Sequence, residues 1–262
     1  MCRLDVRLVE LGLAKSRERA KNLIKSGAVT VNGKPVMKPS SVISEEDAIE
    51  TLEEDIQYVG RGALKLEKAA SEFMIDFKGA VCLDIGASTG GFTEFMLKNG
   101  AEKVYAVDVG HGQLAENLRN DIRVVNAEGT NIRNVSVDFF GGQVDLISVD
   151  VSFISLKKII PKIYELLKPE GTAVILIKPQ FEAGKENIGK RGIVKDKKVH
   201  VRILEEINAF AMESGLNAEK YTYSPLKGGS GNIEYLAMLK KDRSLAVLHD
   251  FSKLAESAFN KL

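Results

Sequence analysis

The chain has 262 residues, with 37 Lys and Arg against 36 Asp and Glu, a formal charge of +1. Hydrophobic residues at 44% and charged residues at 28% describe an ordinary globular protein and exclude a disordered or collagen-like chain. Two cysteines, Cys2 and Cys82, are too few for a disulfide framework, so a reducing, cytoplasmic compartment is expected. No secretory leader pattern is present, and the longest clean apolar run, Ala173 to Ile177, is far short of the ~20 residues of a membrane helix. Taken as a sum, a charge near zero argues against a nucleic-acid partner.

The sum hides a division. Residues 1–38 hold nine basic and three acidic side chains, a local charge of +6, which leaves the remainder at −5. Leu4, Leu8 and Leu11 share one helical face, with Gly12 as a stop. Ser16 reads as the N-cap of a second helix running to Lys25 and closed by Gly27. Arg17, Lys21 and Lys25 form a row on a face distinct from the apolar Ala20, Leu23 and Ile24. Val29–Val31 followed by Asn32-Gly33 predicts a strand entering a tight hairpin. Two short helices and a small sheet with one basic face suit an RNA platform. A row of Arg and Lys is also what any solvated helix face can show.

An acidic stretch, Glu45 to Asp55, separates this segment from a pattern that restarts at Gly60-Arg61-Gly62. From residue 80 onward, strands are predicted at Val81–Ile85, Val104–Val109, Arg123–Asn126, Val144–Asp150 and Ala173–Lys178. Helices are predicted at Glu94–Lys98, Gly112–Leu118, Ser155–Leu167 and Lys197–Ser214. The alternation argues for a parallel sheet covered on both faces. Ala218–Tyr223 and Ile233–Lys240, joined by a loop without a helix, suit an antiparallel pair closing that sheet. Phe251, Leu254, Ala258 and Leu262 mark a final amphipathic helix.

Asp84-Ile85-Gly86-Ala87-Ser88-Thr89-Gly90-Gly91-Phe92 follows an apolar strand and opens a helix, the place where open α/β sheets bind ligands. The spacing is not that of a dinucleotide fold, and no Lys-Ser/Thr pair follows the glycines, so triphosphate hydrolysis fits poorly. Asp84 suits a ligand with a cationic end, such as the amino-acid portion of S-adenosylmethionine. Asp108, ending the next strand, can accept hydrogen bonds from both hydroxyls of a ribose. Asp150 and Lys178 lie at the same sheet edge, and Glu234 opens the last strand. Gly184 to Gly192, with Lys185, Lys190 and Arg191 between its glycines, suits a mobile loop that contacts RNA phosphate. Cys82 is expected in the core. His200 has no paired metal ligands, and no metal site is expected.

Arg3-Leu4-Asp5-Val6 and Ser16-Arg17-Glu18-Arg19-Ala20 resemble an S4-type RNA-binding domain. Gly60 to Leu66, Asp84 to Phe92, Asp108 to Leu114, Ser152 to Leu156 and Lys178 to Glu182 are similar, in order, to the TlyA family, also labelled haemolysin. The resemblance implies a ribosomal RNA 2′-O-methyltransferase acting on cytidine with S-adenosyl-L-methionine as cofactor. Its fold would be α/β: a Rossmann-like, FtsJ-related methyltransferase sheet with a small N-terminal α+β S4-type domain. The domains expected are residues 1–56, a linker at 57–62 and a catalytic domain at 63–262.

The resemblance places a catalytic tetrad on Lys65, Asp150, Lys178 and Glu234. It places the cofactor on Asp84, Gly86, Ser88, Thr89, Gly90, Gly91, Phe92 and Asp108. Ribosomal RNA would meet Arg3, Arg7, Arg17, Arg19, Lys21 and Lys25, together with Lys185, Lys190 and Arg191. His111 departs from the family, which usually has Tyr there. A lysine acts as base only when neutral, which requires burial or a neighbouring cation to lower a reference pKa of ~10.4. Lys178 is therefore expected as the base and Lys65 as the residue that positions the substrate, adding repulsion if it lies near Lys178. The two carboxylates are expected to orient the lysines and the hydroxyl. Two competing readings are a non-catalytic ribosome assembly factor and a pore-forming cytolysin. An intact tetrad argues against the first, and the lack of any spanning segment argues against the second.

Overall fold

The computed structural model describes residues 2–14, 16–25, 27–51, 58–241 and 247–262, apart from the side chains of Arg19 and Asn22. The Arg19 side chain, one of the RNA-binding candidates, and residue 57 of the expected linker lie outside the described residues. The chain divides into two units, Met1–Gln57 and Tyr58–Leu262.

The first unit runs β1 (Cys2–Arg3), α1 (Leu4–Glu10), α2 (Arg17–Lys25), β2 (Val29–Val31), β3 (Lys34–Pro35), β4 (Val42–Ile43) and β5 (Ile49–Thr51). β2 lies between β3 and β5 in an antiparallel sheet, and β1 pairs with β4. Asn32 and Gly33 both take positive φ, +51° and +73°, as a two-residue primed turn requires. Leu4, Leu8, Ala20, Leu23, Ile24 and Val29 form the core between the helices and the sheet. Leu11, expected on that face, is instead 46% exposed. α1 stops at Glu10, and the turn into Gly12, at φ +72°, carries Leu11 outward.

The second unit runs α3 (Ala63–Phe73), β6 (Val81–Ile85), α4 (Gly91–Lys98), β7 (Lys103–Asp108), α5 (Glu116–Arg119), β8 (Val124–Glu128), β9 (Val144–Val149), α6 (Ile160–Leu166), β10 (Leu167–Ile177), α7 (Pro179–Glu182), α8 (Lys197–Glu213), β11 (Asn217–Tyr223), β12 (Tyr235–Lys240) and α9 (Phe251–Lys261). Its seven strands lie in the order β11-β12-β10-β9-β6-β7-β8, with the last five parallel and β12 antiparallel to both its neighbours. Strand periodicity splits the core. Leu83, Ile85, Val107 and Ile175 face α6 and α8, whereas Cys82, Ala106 and Val174 face α3 and α4.

Three differences from the sequence expectations have local causes. The Ser155–Leu167 helix is a 3₁₀ turn, Leu156–Lys158, followed by α6, which has Pro161 in its first turn, and Leu167 already belongs to β10. The Gly112–Leu118 helix shrinks to α5, because Glu128 captures the Gln113 and Leu114 N–H groups for a loop. Residues 58–62, expected within a linker, belong to the second unit. The Tyr58 ring lies 6.0 Å from that of Phe95, and the Val59 N–H donates to the Glu94 carboxylate.

Candidate active site

The site is built at the edge where β6, β7, β9 and β10 end. The chain leaves β6 for β7 and β8 on one side and resumes at β9 on the other, which makes this the switch point of the sheet. Gly86 has φ +87°, and a Cβ there would stand 2.2 Å from the Asp150 carbonyl oxygen, so only glycine allows the loops after β6 and β9 to approach this closely. Gly90 caps α4 at φ +95°, and Gly91 begins the helix.

The Asp108 carboxylate accepts hydrogen bonds from the Ser88 N–H and the Gly110 N–H, each at 2.8 Å. A carboxylate has about four acceptor positions, so two remain for a ribose diol. Asp108, Val109, Ile132 and Phe153 line a cleft of about 480 Å³. Its apolar walls and the Asp108 carboxylate suit an adenosine. A second pocket of about 230 Å³ shares Gly86, Ser88 and Asp150 with it and adds Lys65, Thr89 and Phe92.

Asp84 does not reach either opening. Its side chain is fully buried, with Thr93 Oγ1 donating at 2.7 Å and Ser148 Oγ at 3.0 Å. Burial pushes its carboxyl up to about 6 against the pull of those two hydroxyls. The expected contact with a cationic ligand end is therefore corrected. Asp84 points from β6 towards α4, and it ties the strand to the helix beneath the glycine loop.

The tetrad candidates come from four separate places: the first turn of α3, the residues just after β9 and β10, and the residue before β12. Glu234 reaches the others because β12 is antiparallel, so that its first residue, Tyr235, pairs with Ile177, the last of β10. Glu234 Oε2 accepts from Lys65 Nζ at 2.7 Å, and Lys65 Nζ lies 4.0 Å from Asp150 Oδ2. Asp150 Oδ1 lies 2.5 Å from Lys178 Nζ, which also donates to Ser152 Oγ at 3.0 Å. Lys178 is 8% exposed and Glu234 2%.

Asp150 thus lies between Lys65 and Lys178, and Glu234 holds Lys65 from the other side. Such a row can orient a hydroxyl, receive its proton and keep the resulting ammonium ion paired.

Sequence reasoning missed Ser152 as a partner of Lys178, and Glu182, whose carboxylate accepts from Ser155 Oγ at 2.6 Å and the Leu156 N–H at 2.8 Å. Both residues lie in segments that carry the family resemblance, but a motif alone does not say which atoms meet. Cys82 is buried, and burial pushes its thiol up to about 12, so it remains an unreactive core group.

Among the RNA-binding candidates, Arg3 and Arg17 converge on the fully buried Asp5. Arg3 pairs with it in fork geometry at 2.9 and 3.0 Å, and Arg17 lies at 3.4 Å. Arg7 pairs with Glu10 at 3.2 Å, while Lys21 and Lys25 are exposed. In the second unit, Lys185, Lys190 and Arg191 are exposed. Within the loop carrying them, Asn187 Nδ2 donates to the Ala183 carbonyl at 2.7 Å, and the Gly189 N–H donates to the Ile193 carbonyl at 3.0 Å.

Residues 58–241 match the FtsJ-like methyltransferase family and residues 2–49 the S4 domain. The fold, the glycine loop and these matches define an S-adenosylmethionine-dependent methyltransferase with an N-terminal S4 domain. The chain is 43% identical to the 16S/23S rRNA (cytidine-2′-O)-methyltransferase TlyA of Mycobacterium tuberculosis, over 93% of this chain and 92% of that one. It is 45% identical to Hemolysin A of Brachyspira hyodysenteriae, over 90% of this chain and 98% of that one. A solved Streptococcus thermophilus structure, named as a hemolysin, superposes with a TM-score of 0.81 at 42% identity, covering 99% of this chain and 96% of that one. The chain belongs to the TlyA family. No helix among the described residues is long and apolar enough to cross a membrane.

Proposed function

We propose that this protein methylates the 2′-hydroxyl of a cytidine in ribosomal RNA, with Lys178 as the base. The observation that carries the reading is the row Glu234–Lys65–Asp150–Lys178, which ends on Ser152 beside the glycine loop. The names of the M. tuberculosis relative and of a Campylobacter jejuni relative, a 23S rRNA (cytidine-2′-O)-methyltransferase TlyA 36% identical to this chain, support the choice of substrate.

The residues present fit the cofactor. Gly86 lets the loops after β6 and β9 close together at the cleft, and Asp108 keeps acceptor capacity beside apolar walls. When bound, S-adenosylmethionine supplies an electrophilic methyl group on a positively charged sulfur. Gly86, Ser88 and Asp108 would hold its adenosyl portion. The two lysines place the 2′-hydroxyl, since orientation of a weak nucleophile accounts for much of the rate. Lys178 Nζ, in its neutral form, takes the hydroxyl proton, and Asp150 pairs with the ammonium ion that forms. Glu234 fixes Lys65 so that the substrate contact is made by a held, not a wandering, cation. A ribosomal substrate places the protein in the cytoplasm, in keeping with its two unpaired cysteines.

Labelled methyl transfer to separated ribosomal subunits and intact ribosomes tests the reading, with mapping of the modified nucleotide. The expected product is a 2′-O-methylcytidine, and no incorporation into any of the substrates overturns the proposal. Lys178→Ala is expected to abolish transfer while keeping affinity for S-adenosylhomocysteine. Retained turnover would remove Lys178 as the base.

A further inference from the structure

We infer that Asn232 is a positioning residue for RNA: a buried latch that fastens the basic loop 184–194 and the glycine-rich loop 226–231 into one rim beside Glu234. The inference rests on the proposed RNA substrate, and it concerns a residue outside the tetrad and the cofactor loop.

Asn232 is fully buried, and both ends of its amide are used. Its Oδ1 accepts the Val194 N–H at 3.0 Å, and its Nδ2 donates to the Gly192 carbonyl at 2.8 Å. Its own backbone carbonyl accepts the Gly228 N–H at 2.8 Å, in a turn closed by the Gly231 N–H on the Gly228 carbonyl at 2.7 Å. Gly228 in turn lies against the tetrad, since a Cβ there would stand 2.3 Å from Glu234 Oε1. One side chain therefore sets the end of the loop bearing Lys185, Lys190 and Arg191, and its backbone sets the turn that carries Lys227 into the pocket holding Lys65.

A second buried group backs the latch. His200 Nε2 meets the Val194 carbonyl at 2.9 Å and Nδ1 meets the Tyr235 hydroxyl at 2.9 Å, so Val194 is held through both its N–H and its C=O. Burial pushes the imidazole below its ordinary value, in keeping with a neutral ring that donates from Nε2 to the carbonyl and accepts from the tyrosine. A fastened loop presents its cations without an ordering cost at the moment of binding, which a loose one must meet.

Four measurements on the full chain test this. In the wild type, the Val194 and Gly228 amides should exchange with solvent at least about a thousandfold more slowly than unprotected amides. Exchange at unprotected rates overturns the latch. In Asn232→Ala, trypsin should cut after Lys185, Lys190 or Arg191 about tenfold faster than in the wild type, with the far-ultraviolet circular dichroism spectrum unchanged. Equal cutting overturns the latch, and neither of these readouts depends on the RNA reading. With ribosomal subunits as substrate, KM should rise about tenfold in Asn232→Ala while KM for S-adenosylmethionine stays the same. Lys190→Ala/Arg191→Ala should raise the same KM and lower the salt slope of binding by about two. A double variant that leaves KM and slope unchanged shows that this rim does not meet RNA and overturns the inference, even where methyl transfer itself is intact.

Discussion

Asp84 shows how one strand position decides between ligand contact and scaffold. With strand periodicity of two, Asp84 shares the Cys82 face of β6 and points at Thr93 of α4, not at the pocket. Its carboxyl is pushed up to about 6 by burial, above the ordinary value of 3.8. A raised folded-state value means that its contribution to stability is complete below pH ~4 and is lost as the pH rises through 6. Wild-type stability should therefore fall between pH 4 and 7 by on the order of 3 kcal/mol relative to Asp84→Asn, measured by urea unfolding of both at each pH. Parallel pH profiles would contradict the assignment. Gly86 makes a steric counterpart. A methyl group there meets the Asp150 carbonyl at 2.2 Å and forces a residue other than glycine to adopt φ +87°. Gly86→Ala should weaken S-adenosylhomocysteine binding at least about tenfold by calorimetry, because the loop after β6 or that after β9 must move.

At the scale of elements, the acidic end of β8 shapes the ribose side of the site. Glu128 accepts from the Gln113 N–H at 2.6 Å, the Leu114 N–H at 3.0 Å and the Asn126 side chain at 3.0 Å. The Asn126 hydrogen bond, aided by those backbone amides, holds its carboxyl down at about 2. Gln113 in turn accepts from Ser88 Oγ at 3.2 Å, which links the loop after β7 to the glycine loop. Glu128→Ala should raise KM for S-adenosylmethionine about tenfold with little change in kcat, since it releases a binding loop and touches no reacting atom. Steady-state kinetics at saturating ribosomal subunits would show the split.

Glu128 also marks the limit of what the sequence conveys. Apolar runs such as Val81–Ile85 and Ala173–Ile177 made the parallel strands legible, because burial on both faces leaves no other composition. Asp150 and Lys178 were legible as a pair, because every parallel strand ends at the same edge. The convergence of Lys65 and Glu234 on them was not, since it depends on β12 running antiparallel and on where α3 packs. Glu234 was visible only as a carboxylate opening the last strand, and family resemblance alone reached Lys65 and joined the two to the site. Side-chain capture of backbone amides, as at Glu128, Glu182 and Asn232, joins positions 14 to 40 apart and leaves no periodic trace.

Over the whole molecule, a charge of +1 is an N-terminal segment at +6 and a remainder at −5. Counterion release follows the phosphates a protein neutralises, not its total charge, so the near-neutral sum never excluded RNA. Asp5 sharpens this point. Its buried carboxylate is held down at about 2 by the Arg3 hydrogen bond, with Arg17 adding to it, so it remains charged across the physiological range. Arg3 and Arg17 are still 47% and 59% exposed. An arginine has five N–H donors, and the contacts with Asp5 occupy only a minority of those on the two guanidiniums. The pair is thus oriented from beneath and open above, a geometry suited to bridging phosphate oxygens. On the proposed reading, Arg17→Ala should raise KM for ribosomal subunits and lower the slope of log K against log salt by about one. KM for S-adenosylmethionine should not change, because Gly86, Ser88 and Asp108 all belong to the second unit. Arg3→Ala should do more, because it also removes the fork that neutralises a buried carboxylate, and its melting temperature should fall where that of Arg17→Ala does not. If both variants keep the wild-type salt slope, Arg3 and Arg17 do not supply phosphate contacts, and their pairing with Asp5 is only structural.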